Sequence, residues 1–389
     1  MEKLGIYVQV PFCQTKCTYC NFHTGVVSPS RFAPYAEAVC REIREHQALY
    51  TAAGVTLPKA LEDAVADTVY VGGGTPSLLD PDHLQGMLDE IRETFLADFA
   101  EVTLEADPET IEAGKAEAWA RAGINRVSFG VQSFTDKELT AAGRMHRRED
   151  VYRAVPILRE AGVRNISFDL IAGLPYQTKV SWRQSLEELA ALAPEHASVY
   201  LLEVDEGSRL GNELLKGGAR YSAGAVPSED EMAEFYEMAQ QALGAAGYHH
   251  YEISNWAKPG FESRHNLKYW RREAYLGFGA GAHSFSGTER WANAHDAAEY
   301  VSAVQGGRLP VEQLERLTSE RALEEELFLG LRQLDGIDVA RIERDYGVAL
   351  GAKIQPLASA GLLKRDGNVL RLAPEKLSVS NEVFVELLR

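Results

Sequence analysis

The stretch Ile6-Tyr7-Val8-Gln9-Val10-Pro11-Phe12-Cys13-Gln14-Thr15-Lys16-Cys17-Thr18-Tyr19-Cys20 joins a short apolar strand directly to a C-x3-C-x2-C loop. Ile6–Phe12 is β-branched and aromatic, as strands are. Three thiolates on one tight loop can hold three corners of a cubane cluster and leave one iron without a protein ligand. A small molecule can coordinate and react at that open iron. Zinc is the competing reading, because His23 would complete a Cys3His set with C-x3-C-x2-C-x2-H spacing. Position favours the cluster. Active sites of strand–helix barrels lie on loops at the carboxyl ends of the strands, where a structural zinc gains nothing. The fourth cysteine, Cys40, falls in a predicted helix and reads as a buried apolar residue rather than a fourth ligand.

Outward from this loop, strand-like and helix-like segments alternate. Further strands are expected at Thr68–Val71, Glu101–Glu105, Arg126–Gly130, Asn165–Ile171 and Ser198–Val204. Helices are expected at Arg31–Ala48, Pro81–Thr94, Thr110–Ala122, Glu149–Ala161 and Lys179–Ala191, several ending in Ala-Gly. Six such units in series predict an α/β fold with a parallel sheet and right-handed crossovers. They fall short of eight, so an open or partial (β/α)6 barrel is expected. Residues 205–227, rich in glycine, read as a loop, and Ser228 reads as the N-cap of a helix reaching about Leu243. The run from His249 to Ser254 reads as one more strand. Past Thr318 comes a charged amphipathic helix, and then Asp366-Gly367 between apolar runs, a hairpin signal. The expected division is a core barrel over 1–235, an extension over 236–310, and a C-terminal helical, winged-helix-like domain over 311–389.

The 389 residues include 57 acids and 40 basic residues, a formal charge of -17. A general nucleic-acid binder has the opposite balance, so no nucleic-acid partner is expected. No stretch reaches the ~20 apolar residues of a membrane span, which leaves only peripheral membrane contact open. The N-terminus lacks a secretory pattern, and cytoplasmic placement is expected.

Polar groups recur at the ends of the other strands. The second ends in Gly72-Gly73-Gly74-Thr75-Pro76, where backbone can approach a ligand without side-chain clash. The third ends in Glu105-Ala106-Asp107-Pro108. The fourth ends near Gln132-Ser133, with Arg144 following, and the fifth carries Asp169 before Gly173-Leu174-Pro175. Singly these are caps, surface charges or buried acceptors. Facing one cavity, they could bind hydroxyls, an amino group and a carboxylate.

Taken in order, the cysteine loop, GGGTP, LEADP, Gly130-Val131-Gln132-Ser133 and Asp169–Pro175 resemble the radical S-adenosylmethionine superfamily, in particular its oxygen-independent coproporphyrinogen III oxidase-like group. Three downstream runs resemble the heme chaperone branch of that group. They are Tyr251–Trp256, Ser263–Trp270 and Leu276–Ser284. The resemblance covers nearly the whole chain. It implies a [4Fe-4S] cluster on Cys13, Cys17 and Cys20, with S-adenosylmethionine on the fourth iron and a 5′-deoxyadenosyl radical on reduction by an electron donor. By motif position, Tyr7, Tyr19, Gly73, Gly74, Thr75, Glu105, Gln132, Arg144 and Asp169 would contact S-adenosylmethionine. Within that set, the Gly73 and Gly74 carbonyls would take the amino group and Arg144 the carboxylate. Glu105 or Asp169 would accept from ribose hydroxyls.

Two features depart from the decarboxylase pattern. The position two after the third ligand is Phe22 rather than cysteine, and only six residues precede Tyr7. Both match the chaperone branch, whose activity is to bind heme and deliver it to an apo-hemoprotein. Oxidative decarboxylation of coproporphyrinogen III stands as the alternative. For heme, residues 258–272 form a basic island of Lys258, Arg264, Lys268, Arg271 and Arg272 against one acid, Glu262. These cations could meet heme propionates. Tyr269 and Trp270 could stack on the porphyrin. His265, with Asn266 beside it, is the candidate iron ligand, and His249, His250 and His283 are rivals.

Overall fold

The computed structural model describes residues 2–388. Six parallel strands follow the expected series: β1 (Lys3–Val10), β2 (Val65–Gly73), β3 (Leu96–Ala106), β4 (Arg126–Gln132), β5 (Asn165–Ala172) and β6 (His196–Leu201). Five helices cross over between them: α1 (Phe32–Ala52), α2 (Pro81–Thr94), α3 (Ala113–Ala122), α4 (Arg148–Glu160) and α5 (Lys179–Leu192). Local signals set their ends. Asp80 caps α2, Thr178 caps α5 in a capping box, and α3 stops at Gly123 in the left-handed conformation (φ 98°).

The sheet extends beyond both edges of this series. On the far side of β6 lie β7 (His249–Glu252) and β8 (Asn255–Ala257), and β6 pairs antiparallel with β8. On the far side of β1 lie β9 (Tyr275–Phe278), parallel to β1, then β10 (His283–Phe285), β11 (Glu289–Asn293) and β12 (Val311–Arg316). The result is one 12-stranded sheet, to which the segment over 236–310 adds β7 to β11. Strand β12 pairs along β11, so the sheet continues to Arg316. Residues 205–227, expected as a loop, hold a short helix (Arg209–Leu215) and a 3-10 turn (Arg220–Ala225). These pack Leu210 and Ala223 into a small apolar cluster with Ile171, Leu174, Leu202 and Met232.

Alternation along the parallel strands separates two faces. Ile6, Val8, Val69, Val71, Val102, Leu104, Val127, Phe129, Ile166 and Phe168 are fully buried against the helices. The alternate positions include Thr68, Tyr70, Glu101, Thr103, Glu105, Arg126, Ser128, Ser167, Asp169, His196 and Ser198. That inward row is polar, whereas an ordinary barrel packs its interior with branched aliphatic layers.

Helix α6 (Glu229–Ala245), capped by Ser228, and the seven-residue α7 (Arg264–Trp270) complete this part. Helix α7 plugs the amino-terminal end of the barrel. Glu101 receives its first amides, from Arg264 N–H (3.0 Å) and His265 N–H (3.1 Å). A carboxylate at a helix N-terminus meets both the orphan donors and the positive end of the dipole. After α8 (Ser319–Arg332) the chain forms a small unit of helices and a three-stranded sheet, with the expected hairpin turning at Gly367. It docks through Ile253 N–H to the Arg332 carbonyl (3.1 Å) and Leu334 N–H to the Tyr251 carbonyl (3.1 Å).

Candidate functional site

The carboxyl ends of the strands surround a cavity of about 490 Å³, within the range of small-molecule sites. The cysteine loop and the GGGTP turn are bonded together across its mouth. Gly74 N–H donates to the Val10 carbonyl (2.8 Å) and Thr75 N–H to the Phe12 carbonyl (2.7 Å). Gly73 has φ 109°, and a Cβ there would stand 2.4 Å from the Gln9 side chain. The positive φ is what favours glycine at this turn. Its N–H donates to Glu105 at 2.8 Å, and the Tyr70 hydroxyl donates to the same carboxylate at 2.8 Å. Burial pushes Glu105 up to about 7 despite these donors.

Cys13, Cys17 and Cys20 all line the cavity. Burial raises the Cys13 and Cys17 thiols, and for Cys17 the nearby Arg144 guanidinium opposes that rise. Arg144 is itself committed: it pairs with Asp107, bonds the Gly130 carbonyl at 2.7 Å and stands 3.6 Å from Cys17 Sγ. Asp107 also accepts from Thr75 Oγ1 at 3.1 Å. Deeper in, Asp169 accepts from Ser128 (3.1 Å) and is raised by burial. The three-thiol donor set fits a site-differentiated iron–sulfur cluster. Cys40 packs against the apolar core along α1 and supplies no fourth ligand. The ring of His23 stacks on that of His295, with centroids 3.8 Å apart.

Of the residues expected around a ligand, Tyr19, Gly73, Gly74, Thr75, Glu105, Gln132, Arg144, Asp169 and Asn266 join the cysteines in lining the cavity. Tyr7 does not: its hydroxyl is bonded to Gln9 and its ring lies beside Tyr70. Several lining residues were not anticipated, including Tyr70, Arg126, Ser128, Ser198 and Tyr200. The period-two row of polar residues within apolar strands would have found them.

The expected heme segment is placed differently. His265 is fully buried at the far end of the barrel. Its Nδ1 is bonded to the Thr68 hydroxyl (2.9 Å) and its Nε2 to the Tyr269 hydroxyl (2.8 Å). Burial lowers it to about 3, so it is neutral and both ring nitrogens are used. Trp270 lies under the Arg332 guanidinium, 4.3 Å from its ring centroid. The basic island is largely neutralised by acids remote in sequence. Lys268 pairs with Asp67 (2.8 Å), Arg272 with Glu325 (3.1 Å) and Lys258 with Glu195 (3.5 Å). Among the rivals, His250 stacks on Trp256 with centroids 4.0 Å apart, while His249 and His283 are exposed.

A model of the radical SAM superfamily matches residues 7–189, and one of the HemN C-terminal domain matches residues 317–375. The chain is 35% identical over 384 residues to heme chaperone HemW of Bacillus subtilis, covering 97% of each. It is 34% identical over 395 residues to heme chaperone HemW of Mycobacterium tuberculosis, covering 100% of this chain and 95% of that one. Against heme chaperone HemW of Escherichia coli it is 35% identical over 284 residues, 73% of this chain and 70% of that one. Among solved structures, coproporphyrinogen III oxidase (HemN) from Escherichia coli superposes with a TM-score of 0.84 at 22% identity, over 99% of this chain and 90% of that one. At that identity the likeness concerns the fold.

Proposed function

The chain belongs to the heme chaperone HemW family of the radical SAM superfamily, and from that premise we propose that it binds heme and passes it to an apo-hemoprotein in the cytoplasm. The family implies a [4Fe-4S] cluster and S-adenosylmethionine. We assign the cluster to Cys13, Cys17 and Cys20, and S-adenosylmethionine to the polar barrel interior. When bound and reduced by an electron donor, the cluster supplies an electron to the sulfonium of S-adenosylmethionine.

The protein's part is positional. Glu105 and the cross-bonded glycine turn hold the backbone that faces the thiols. Arg144 and Asp107 tie the loops of three strand ends together. Asp169, Ser128 and Asn266 present polar atoms to the ligand from the floor.

The observation that carries the chaperone reading is the rim. Phe22 is 65% exposed, Met145 53% and Tyr200 42%, and all three line the mouth of the cavity. An apolar rim open to solvent suits a flat, apolar cargo that must also leave. The test uses anaerobically reconstituted full-length protein. Ferric heme is titrated against it by absorbance, and the loaded protein is mixed with an apo-globin. A Soret band that moves to the acceptor supports the reading. Conversion of coproporphyrinogen III to protoporphyrinogen, given S-adenosylmethionine and reductant, would instead make the protein a decarboxylase.

A further inference from the structure

Ten histidines are present. Five of them are satisfied in the interior: His46, His146, His196, His250 and His265 each have at least one ring nitrogen hydrogen-bonded. Three of the others gather at one place on the outer edge of the cavity mouth. His23 lies three residues past the last cysteine of the loop, and its ring is stacked on that of His295. His283 stands at the start of β10, two residues past Gly281, where a Cβ would be 2.9 Å from the Nδ1 of His295; burial first, and then the neighbouring His295, lowers its basicity. The Nδ1 of His295 is shielded from solvent and has no hydrogen-bond partner, and its Nε2 is 3.8 Å from Glu312.

Burial and the neighbouring imidazole hold His23 below its ordinary value. Neutral imidazole is the form that ligates iron. Around the cluster the loop is unusually apolar for a surface: Phe22 is 65% exposed, Val26 60% and Val27 38%. Lys16 reaches back over the loop, with Nζ 3.2 Å from the Phe22 carbonyl, and its charge is felt by His23. Axial donors, an apolar face and a cation are the three things that an iron porphyrin with propionates needs.

We propose that heme docks on this outer edge of the mouth, with an imidazole of the His23, His283 and His295 set on the iron and Phe22, Val26 and Val27 against the macrocycle. The proposal rests on the heme-chaperone reading and locates its cargo. Heme then lies beside the cluster loop, at the opposite end of the barrel from His265, whose two nitrogens are taken.

The experiment is a ferric heme titration of the full-length protein, followed by Soret absorbance and by electron paramagnetic resonance of the heme iron. The wild type is compared with His265→Ala, with His23→Ala, and with the triple variant His23→Ala, His283→Ala, His295→Ala. The triple variant is expected to lose affinity by roughly ten-fold or more and to lose the histidine-ligated spectrum, as deletion of an axial ligand does. Added imidazole is expected to restore that spectrum. His23→Ala, at an exposed position, is expected to change the spectrum without unfolding the chain, which covers the case of an unstable triple variant. A triple variant with the wild-type spectrum and affinity, or a loss confined to His265→Ala, overturns the proposal and leaves heme binding intact. A wild type that takes up no heme overturns the chaperone reading with it.

Discussion

The Arg144 guanidinium stands 3.6 Å from the sulfur of Cys17 and in the same pose bonds the Gly130 carbonyl and pairs with Asp107. Its side chain is 9% exposed and that of Asp107 is 20% exposed. Removing one partner of such a pair strands the other charge, at a cost of about 3–5 kcal/mol when burial is complete and less here. Arg144→Met is therefore expected to lower the urea midpoint and the iron bound per chain after reconstitution. Unchanged values for both would show that the arginine is dispensable to the loop.

Two glycine-to-alanine changes are expected to act in opposite directions. At Gly73 the positive φ strains any L side chain, and the added carbon would have to push aside the end of the Gln9 side chain, 2.4 Å away. Gly73→Ala should cost about 1–3 kcal/mol and weaken S-adenosylmethionine binding measured by calorimetry. At Gly86, inside α2, nothing lies within 4 Å of the added carbon. Gly86→Ala should raise stability by about 0.5–1 kcal/mol through helix propensity, read as a higher Tm.

Glu101 holds the plug helix. It accepts from two amides of α7, and it lies 3.4 Å from the Ser263 hydroxyl. Glu101→Ala is expected to cost about 1–2 kcal/mol, as lost caps do. Hydrogen exchange should rise at residues 263–270 before it rises in β2 or β3. Exchange that stays at wild-type rates in that segment would mean that packing alone seats the helix.

Glu42 makes stability depend on pH with a definite sign. It is fully buried in α1 and accepts from Gly279 N–H (2.8 Å), Asn293 (2.8 Å) and the Tyr300 hydroxyl (2.5 Å). Burial nevertheless pushes it up to about 7 from an ordinary 4.5. The folded state thus holds a proton that the unfolded chain releases near 4.5. The contribution is full below that value and declines as pH rises to about 7, by up to about 1.4 kcal/mol per pH unit. Glu42→Gln removes this slope. Urea midpoints at about pH 5 and pH 7.5 should converge on one value more closely in the variant than in the wild type. Equal differences in both proteins would assign the slope to other groups.

Much of the architecture was legible along the chain. The alternation of strand and helix, the Ala-Gly stops and the Asp366-Gly367 turn are local signals, and each marks an element that forms. Strand β12 was not legible, because it carries the charged residues Glu312, Glu315 and Arg316. It is held by its ladder with β11 rather than by apolar content. The partner of the Tyr7 hydroxyl was not legible, because a strand residue next to the loop can turn toward Gln9.

By itself the sequence determined the strand-to-cysteine loop, the glycine turn beside it and the parallel α/β order that brings successive strand ends together. All of these depend on spacings of a few residues, where backbone geometry and side-chain period leave little choice. Only the tertiary structure decided which end of the barrel each histidine serves. His265 meets Thr68 across 197 residues and sits on Glu101 across 164, while the cations beside it are consumed by Asp67, Glu195 and Glu325. Whether a side chain is free or satisfied depends on partners that the sheet brings from far along the chain, and no local spacing encodes them.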